Sequence, residues 1–314
     1  YNIPFEDIFE VSSSMYEKEI KGFLEKNNIA YKIHDRDTIA PLELDFFIPS
    51  RNIAIEVNGA FFHNSSVSLG YGRPPKEKYY HQQKSLLCEQ KGIRLIHIFE
   101  WELYKGYIDK TLSFLESILH INQQRIFARK CSLVIIHPKQ ANAFYENNHL
   151  QGKTTNCKYN YGLTYNNELV SCMSFSQRNQ EFFLTRFCSQ KGLEVVGGAS
   201  KFFSYFVKTV DPNIIISFSD ITKMSGNVYN ILGFKVEGIT APSYWWYKNL
   251  NNVYWRRQCQ KQYMHKLPGF DSNYKYLEHK NDPFWQRSEK EIMESKKYIQ
   301  IFDSGMRKHI WRKR

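Results

Sequence analysis

Two short apolar runs, Leu44 to Ile48 and Ile53 to Val57, flank Pro49-Ser50-Arg51-Asn52, and no other part of the chain constrains its fold as tightly. Proline presets a turn dihedral and asparagine tolerates left-handed backbone, so the flanks are set to pair as a hairpin. Apart from Asp45 and Glu56 both runs are apolar throughout, the pattern of strands covered on both faces. A carboxylate in such a strand is costly unless something compensates its charge. Side chains alternate along a strand, so Glu56 and Asn58 share one face and Val57 takes the other, which predicts an oxygen-rich cup beside Asp45. Hard cations such as Mg²⁺ bind in cups of that kind.

The surrounding chain has room for more than this hairpin. At 314 residues, 42% hydrophobic and 16% aromatic, it is expected to build two sizeable cores rather than remain disordered. A net charge of +12 suits a polyanionic partner, and residues 251 to 314 hold 15 Lys and Arg against 7 Asp and Glu. Aromatic residues interleave with those cations, as in Tyr254-Trp255-Arg256-Arg257, which favours nucleic acid over a membrane surface. No apolar stretch reaches the roughly 20 residues of a membrane helix. The six cysteines are scattered without paired spacing, so reduced thiols and a cytoplasmic setting are expected. The sequence opens on Tyr1 rather than Met, which leaves room for residues upstream.

Helical spacing of Ile20, Phe23 and Leu24 predicts an amphipathic helix from about Ser13 to Asn27. Ala30 to Ile33 predicts a strand, Tyr79 to Lys91 a second helix stopped by Gly92, and Ile93 to Phe99 a buried strand. Helix, hairpin, helix and strand in that order resemble the very short patch repair endonucleases and related homing endonucleases of phages and inteins. That family carries an E-D-x-H-D signature within the PD-(D/E)xK class. The resemblance implies an α/β sandwich around a mixed sheet. It assigns Glu17 to the signature glutamate, Asp45 to the metal-binding aspartate, Val57 to the variable position that offers a backbone carbonyl, and His63 to the catalytic histidine. The last signature aspartate falls on His81, a departure, and Asn58 stands where the wider class has lysine. Lys84 shares a helix face with His81 and is a supporting candidate, as is Glu19 beside Glu17. On chemistry alone, phosphodiester hydrolysis needs an activated water and charge stabilisation. Asp45 and Glu56 suit a Mg²⁺ or Mn²⁺ site, and His63 suits a general base. Arg73, Lys76 and Lys78, in or next to a loop rich in Ser, Gly and Pro, are candidate phosphate contacts.

From about residue 123 the rhythm changes to hairpins, with Tyr161 to Tyr165 and Leu169 to Phe175 joined by an Asn-Asn turn. Glu194-x-x-Gly197-x-Ala199 precedes a helix over 200 to 210, and Asn227-x-Tyr229-x-x-Leu232-Gly233-Phe234 follows a strand over 214 to 218. These features resemble the GNAT acyltransferase superfamily. The resemblance implies an acetyl-coenzyme A site at Val196, Gly197, Gly198 and Ala199, with Tyr229 as general acid. Glu194 occupies a position where a basic or amide residue is usual, and a carboxylate repels a pyrophosphate.

The expected organisation is α/β: a PD-(D/E)xK restriction-endonuclease-like sandwich with a mixed sheet over residues 1 to 122, a GNAT-like domain over 123 to 250, and a small basic module over 251 to 314. In that module Arg256, Arg257 and Lys261 are candidate contacts to the backbone of double-stranded DNA. The primary expectation is a Mg²⁺-dependent DNA endonuclease of the phage or intein homing type. The alternatives are an acyl-coenzyme A-dependent acyltransferase modifying nucleic acid and a non-catalytic DNA-binding protein. Target sequence, nicking against double-strand cutting, and oligomeric state are not encoded in any pattern of the chain.

Overall fold

A computed structural model describes residues 5 to 66, 74 to 121 and 124 to 313, with side chains from residue 15 onward. The chain is a mixed α/β protein with several sheets, and its contacts divide it into two units. Unit 1 comprises residues 1 to 105, 221 to 223 and 241 to 305; unit 2 comprises 106 to 220, 224 to 240 and 306 to 314. These units are discontinuous and differ from the three consecutive segments expected, because strand pairing unites residues that lie far apart in sequence.

Unit 1 begins with α1 (Phe5–Lys26), which buries Tyr16, Ile20, Phe23 and Leu24 on one face. Asn27 donates its side-chain amide to Phe23 O, and Asn28 takes the left-handed conformation that lets the chain leave the helix. A four-stranded sheet follows in the order β1 (Lys32–Asp35), β2 (Leu44–Ile48), β3 (Ile53–Asn58), β4 (Arg94–Phe99). The first two pairings are antiparallel, whereas β3 and β4 run parallel, joined by α2 (Tyr80–Gln90) as the crossover. The hairpin turn is a single helical turn over Pro49–Arg51, with Asn52 left-handed at φ 50°, as proline and asparagine at those positions require.

Unit 2 opens with α3 (Ile108–Ile118), β5 (Gln124–Phe127), β6 (Ser132–Ile135) and α4 (Pro138–Asn148). A meander of β7 (Tyr159–Tyr165), β8 (Glu168–Arg178) and β9 (Glu181–Ser189) comes next, then β10 (Leu193–Val196) and α5 (Gly198–Val210). After β11 (Ile214–Asp220), α6 (Asn227–Ile231) and β12 (Lys235–Ile239), the chain enters residues 241 to 305 of unit 1. These form β13 (Tyr244–Asn249), β14 (Asn252–Trp255) and β15 (Ile299–Phe302), with short helices packed on Trp246, Met264, Trp285 and Tyr298. Ile301 of β15 joins Phe99 and Trp101 in a further buried cluster. The chain then returns to unit 2 as β16 (Met306–Arg312).

This last strand completes a seven-stranded sheet in the order β12-β16-β11-β9-β8-β7-β6, lying antiparallel to both β11 and β12. Residues 306 to 312, expected in a DNA-contacting module, are thus strand residues of unit 2. Phe175, Phe202 and Phe206 fill the core beneath the sheet, with Phe175 and Phe206 stacked at 3.7 Å. The six cysteines are free thiols, and among the described residues no helix is long and apolar enough to cross a membrane.

Trp246 is fully buried in the core of the 241 to 305 segment. Trp246→Ala is expected to destabilise unit 1 by about 3–5 kcal/mol, measurable as a lowered midpoint of urea unfolding monitored by tryptophan fluorescence.

Candidate active site

The regular pairing of β2 with β3 extends to Phe46 opposite Ile55. One step further, side chains replace the backbone ladder: Val57 N donates to Asp45 Oδ2 at 2.7 Å, and Asp45 N donates to Glu56 Oε1 at 3.2 Å. A strand residue directs its N–H and C=O to the same side, so the Val57 carbonyl also faces the Asp45 edge. Among the described residues Asp45 Oδ1 carries no hydrogen bond. Burial and the Glu56 charge raise the Asp45 carboxyl well above the usual carboxylate range, against the Val57 N–H and Lys84, which lower it.

Glu56 occupies the expected face, and both of its oxygens are engaged. Its second oxygen meets Lys84 Nζ at 2.5 Å, with both side chains buried. The Glu56 and Tyr80 charges outweigh burial and hold the Lys84 ammonium above its ordinary pKa. Lys84, on α2, therefore supplies a cation at this sheet end that Asn58 does not. Asn58 is fully buried and donates to His97 Nδ1 at 3.2 Å, while His97 Nε2 meets Ser85 Oγ at 3.0 Å. That network continues to Ser304 Oγ at 3.0 Å, so Asn58 belongs to a buried polar chain rather than to an open cup.

His63 and His81 stack at 5.2 Å with a hydrogen bond of 3.0 Å between His63 Nδ1 and His81 Nε2. The direction of that bond follows from the other end. His81 Nδ1 lies 2.8 Å from Phe302 O, and a carbonyl only accepts, so Nδ1 carries the His81 proton. The neutral His81 must then accept at Nε2, His63 must donate from Nδ1, and the lone pair of His63 stays on Nε2. Burial drives both rings toward the neutral form: His81 is pushed down to about 3 and His63 well below its ordinary value, with the Lys84 charge contributing to each. A neutral imidazole with a fixed Nε2 lone pair is a proton acceptor at neutral pH.

The remaining expected residues fall in several places. Glu17 turns inward while Glu19 is exposed, and Glu17 Oε2 lies 4.0 Å from His34 Nε2. Lys76 and Lys78 sit over the rings of Tyr80 and Tyr79, at 4.0 and 5.3 Å. Arg73 lies outside the described residues. Arg256 and Arg257 are exposed, whereas Lys261 donates to Trp285 O at 2.7 Å and has a structural role. Sequence reasoning passed over His34, Glu43 and His97. Glu43 was open to detection, since it stands two residues before Asp45 and so shares its strand face.

In unit 2, Gly197 takes φ 78° directly before α5. Glu194 pairs with Arg125 at 2.8 Å across the parallel β10 and β5 strands. Lys201, in the first turn of α5, donates to Ala128 O and Cys131 O, and Ala128 stands 3.9 Å from where a side chain on Gly197 would begin. The acid at Glu194 is thus engaged by Arg125, and the nearest lysine is committed to carbonyls. The Tyr229 hydroxyl lies 2.9 Å from Ser217 Oγ, inside the unit's hydrogen bonding.

No family model and no curated protein matches the chain. Solved structures align with parts of it at low TM-scores. The catalytic domain of the homing endonuclease I-Bth0305I aligns at 25% identity over 34% of this chain and 96% of its own, with a TM-score of 0.26. A Bacillus subtilis acetyltransferase in complex with CoA aligns at 10% identity over 59% of this chain and all of its own, with a TM-score of 0.34. The ribosomal-protein-S18-alanine N-acetyltransferase of Escherichia coli aligns at 11% identity over 35% of this chain and 80% of its own, with a TM-score of 0.30.

A carboxyl whose pKa is raised by folding favours the fold below its unfolded pKa and loses that contribution as pH rises through the folded value. Asp45 is such a group, so its ionised form opposes folding at neutral pH. Asp45→Asn, which keeps an acceptor for Val57 N, is expected to raise the thermal midpoint at pH 7 in EDTA. The gain is expected to shrink as the pH is lowered toward 4, as followed by circular dichroism.

Proposed function

We propose that unit 1 is a divalent-metal-dependent endonuclease that hydrolyses phosphodiester bonds in double-stranded DNA. Its core is read as PD-(D/E)xK and its type as that of the very short patch repair and homing endonucleases. One observation carries the reading. Lys84 meets Glu56, which accepts from Asp45 N, and His81 on the same helix as Lys84 bonds to His63, so a half-committed carboxylate, a buried cation and an oriented imidazole are linked through one helix and one sheet end. Supporting it are the helix, hairpin, helix, strand order of the unit and the excess positive charge of the chain, with Arg256 and Arg257 exposed for phosphate contact.

Asp45 Oδ1 and the Val57 carbonyl are the groups that fit Mg²⁺ or Mn²⁺. Bound there, such an ion would polarise the phosphate and make a coordinated water more acidic. In this reading Glu56 fixes Lys84 and the Asp45 backbone instead of ligating. His63 Nε2 receives the proton of the attacking water, and His81, anchored on Phe302 O, keeps that nitrogen unprotonated beforehand. Lys84 opposes the negative charge that builds on the phosphate.

Supercoiled plasmid incubated with Mg²⁺ is expected to be nicked or linearised, and EDTA is expected to stop it. His63→Ala should slow cleavage by about 10²- to 10⁴-fold, and Asp45→Ala should abolish it. Retained cutting by Asp45→Ala removes the proposal.

Acyl transfer by unit 2 is the second reading. The observation that favours it is the pairing of the parallel strands β9 and β11 at only two positions, Ile215 with Phe182 and Ile216 with Phe183, beyond which the Ser217 side chain bridges to Leu184 O. Calorimetric titration with acetyl-coenzyme A tests it: a saturable binding heat is expected on this reading, and no binding heat removes it.

A further inference from the structure

One group of side chains in unit 1 has the make-up of a cation site that extends past Asp45. His34, Glu43 and Asp45 each present one ligand atom, and the three atoms lie within 4.8 Å of one another. Ligands about 2.1 Å from a divalent ion stand about 3.0 Å apart when adjacent and about 4.2 Å apart when opposite, so the widest pair of such a trio needs to close by no more than about 0.6 Å to share one coordination sphere. His34 Nδ1 and Glu43 Oε1 are 2.8 Å apart, close to the adjacent spacing.

Both carboxylates are braced through one oxygen. Arg36 Nε holds Glu43 Oε2 at 2.6 Å, with Glu43 Oε1 facing His34 Nδ1, and Val57 N holds Asp45 Oδ2 at 2.7 Å, which among the described residues leaves Asp45 Oδ1 without a hydrogen bond. The register of β1 on β2 places His34 opposite Asp45, between the pairs Ile33 with Phe46 and Asp35 with Leu44. Behind the imidazole, Glu17 Oε2 is 4.0 Å from Nε2, the far ring nitrogen. A carboxylate behind the imidazole, accepting from its other nitrogen, is how metal-bound histidines are commonly oriented. The trio therefore combines a hard oxygen pair and a nitrogen donor, with the Glu17 carboxylate near the donor's far nitrogen but beyond hydrogen-bond reach.

We propose that His34, Glu43 and Asp45 bind one divalent cation, that Glu17 positions His34, and that the imidazole makes the site prefer a first-row transition ion to Mg²⁺. The inference rests on the nuclease reading only for what the bound ion does. The binding itself is measured without DNA.

The test is a titration of the full chain with Mn²⁺, reading free Mn²⁺ by electron paramagnetic resonance, with Mg²⁺ and Zn²⁺ as competitors. One site is expected, displaced by Zn²⁺ at lower concentration than by Mg²⁺. His34→Ala and Glu43→Gln are each expected to weaken Mn²⁺ binding by about ten-fold or more. His34 is about half exposed, so its replacement does not threaten the core. Mn²⁺ should also broaden the His34 ring resonances before those of His137 or His279. Affinities within about two-fold of the parent in both variants overturn the inference. If Asp45→Ala alone loses Mn²⁺ while those two variants bind as the parent does, this site is refuted and the nuclease reading stands. If both variants lose Mn²⁺ while the parent leaves plasmid uncut, the site stands and the nuclease reading falls.

Discussion

The buried contact between Lys84 and Glu56 organises unit 1. Two charges that are almost fully excluded from water face each other at hydrogen-bond distance, and neither is tolerable there without the other. Glu56 comes from the central hairpin and Lys84 from the crossover helix, so their attraction registers α2 against β3. That registration sets where His81, one turn earlier on the same helix, presents its ring. It also brings a positive field to Asp45, which the neighbouring carboxylates otherwise destabilise. A hydrophobic pair of equal volume would pack as well, but would leave the sheet end with no cation.

The histidine pair shows how much a single backbone carbonyl can determine. Phe302 O fixes the proton of His81, and His81 fixes that of His63. The carbonyl lies on β15, more than two hundred residues from the rings it controls. The segment 241 to 305 therefore does more than add surface, since its strand edge selects a tautomer. The same segment donates Gln300 N to Ser66 Oγ and accepts from Ser65 N at Gln300 O, which secures the loop that follows His63.

What the sequence disclosed was local. The hairpin at Pro49, the helix ended by Gly92, the strand after it, and the hairpin of Tyr161 to Tyr165 with Leu169 to Phe175 all follow from periodicity and turn chemistry, and the structure has each of them. Within the site, strand spacing singled out Asp45, the resemblance to the E-D-x-H-D signature pointed to His63 and His81, and Lys84 followed from the helix face it shares with His81. The partners could not. That Glu56 is consumed by Lys84, that Asn58 serves His97, and that His34 reaches Glu43 depend on pairings between elements, which no spacing rule encodes. The run Met306–Arg312 reads as part of a basic tail because Arg307, Lys308 and Arg312 stand among its apolar residues without the strict alternation of a half-covered strand. Only its two neighbours reveal it as an interior strand.

The place of β16 also has a temporal meaning. A ribosome delivers β11 and β12 long before the strand that belongs between them, and the intervening stretch must fold with unit 1. Until Met306–Arg312 emerges, the facing edges of two strands stay unpaired in a growing chain, the condition under which nascent sheets associate wrongly. Closure depends on contacts of large sequence separation, so it is intrinsically slow. The second sheet is therefore completed only once β16 has been made, and a chain interrupted before that point would be left without the strand that separates its two edges.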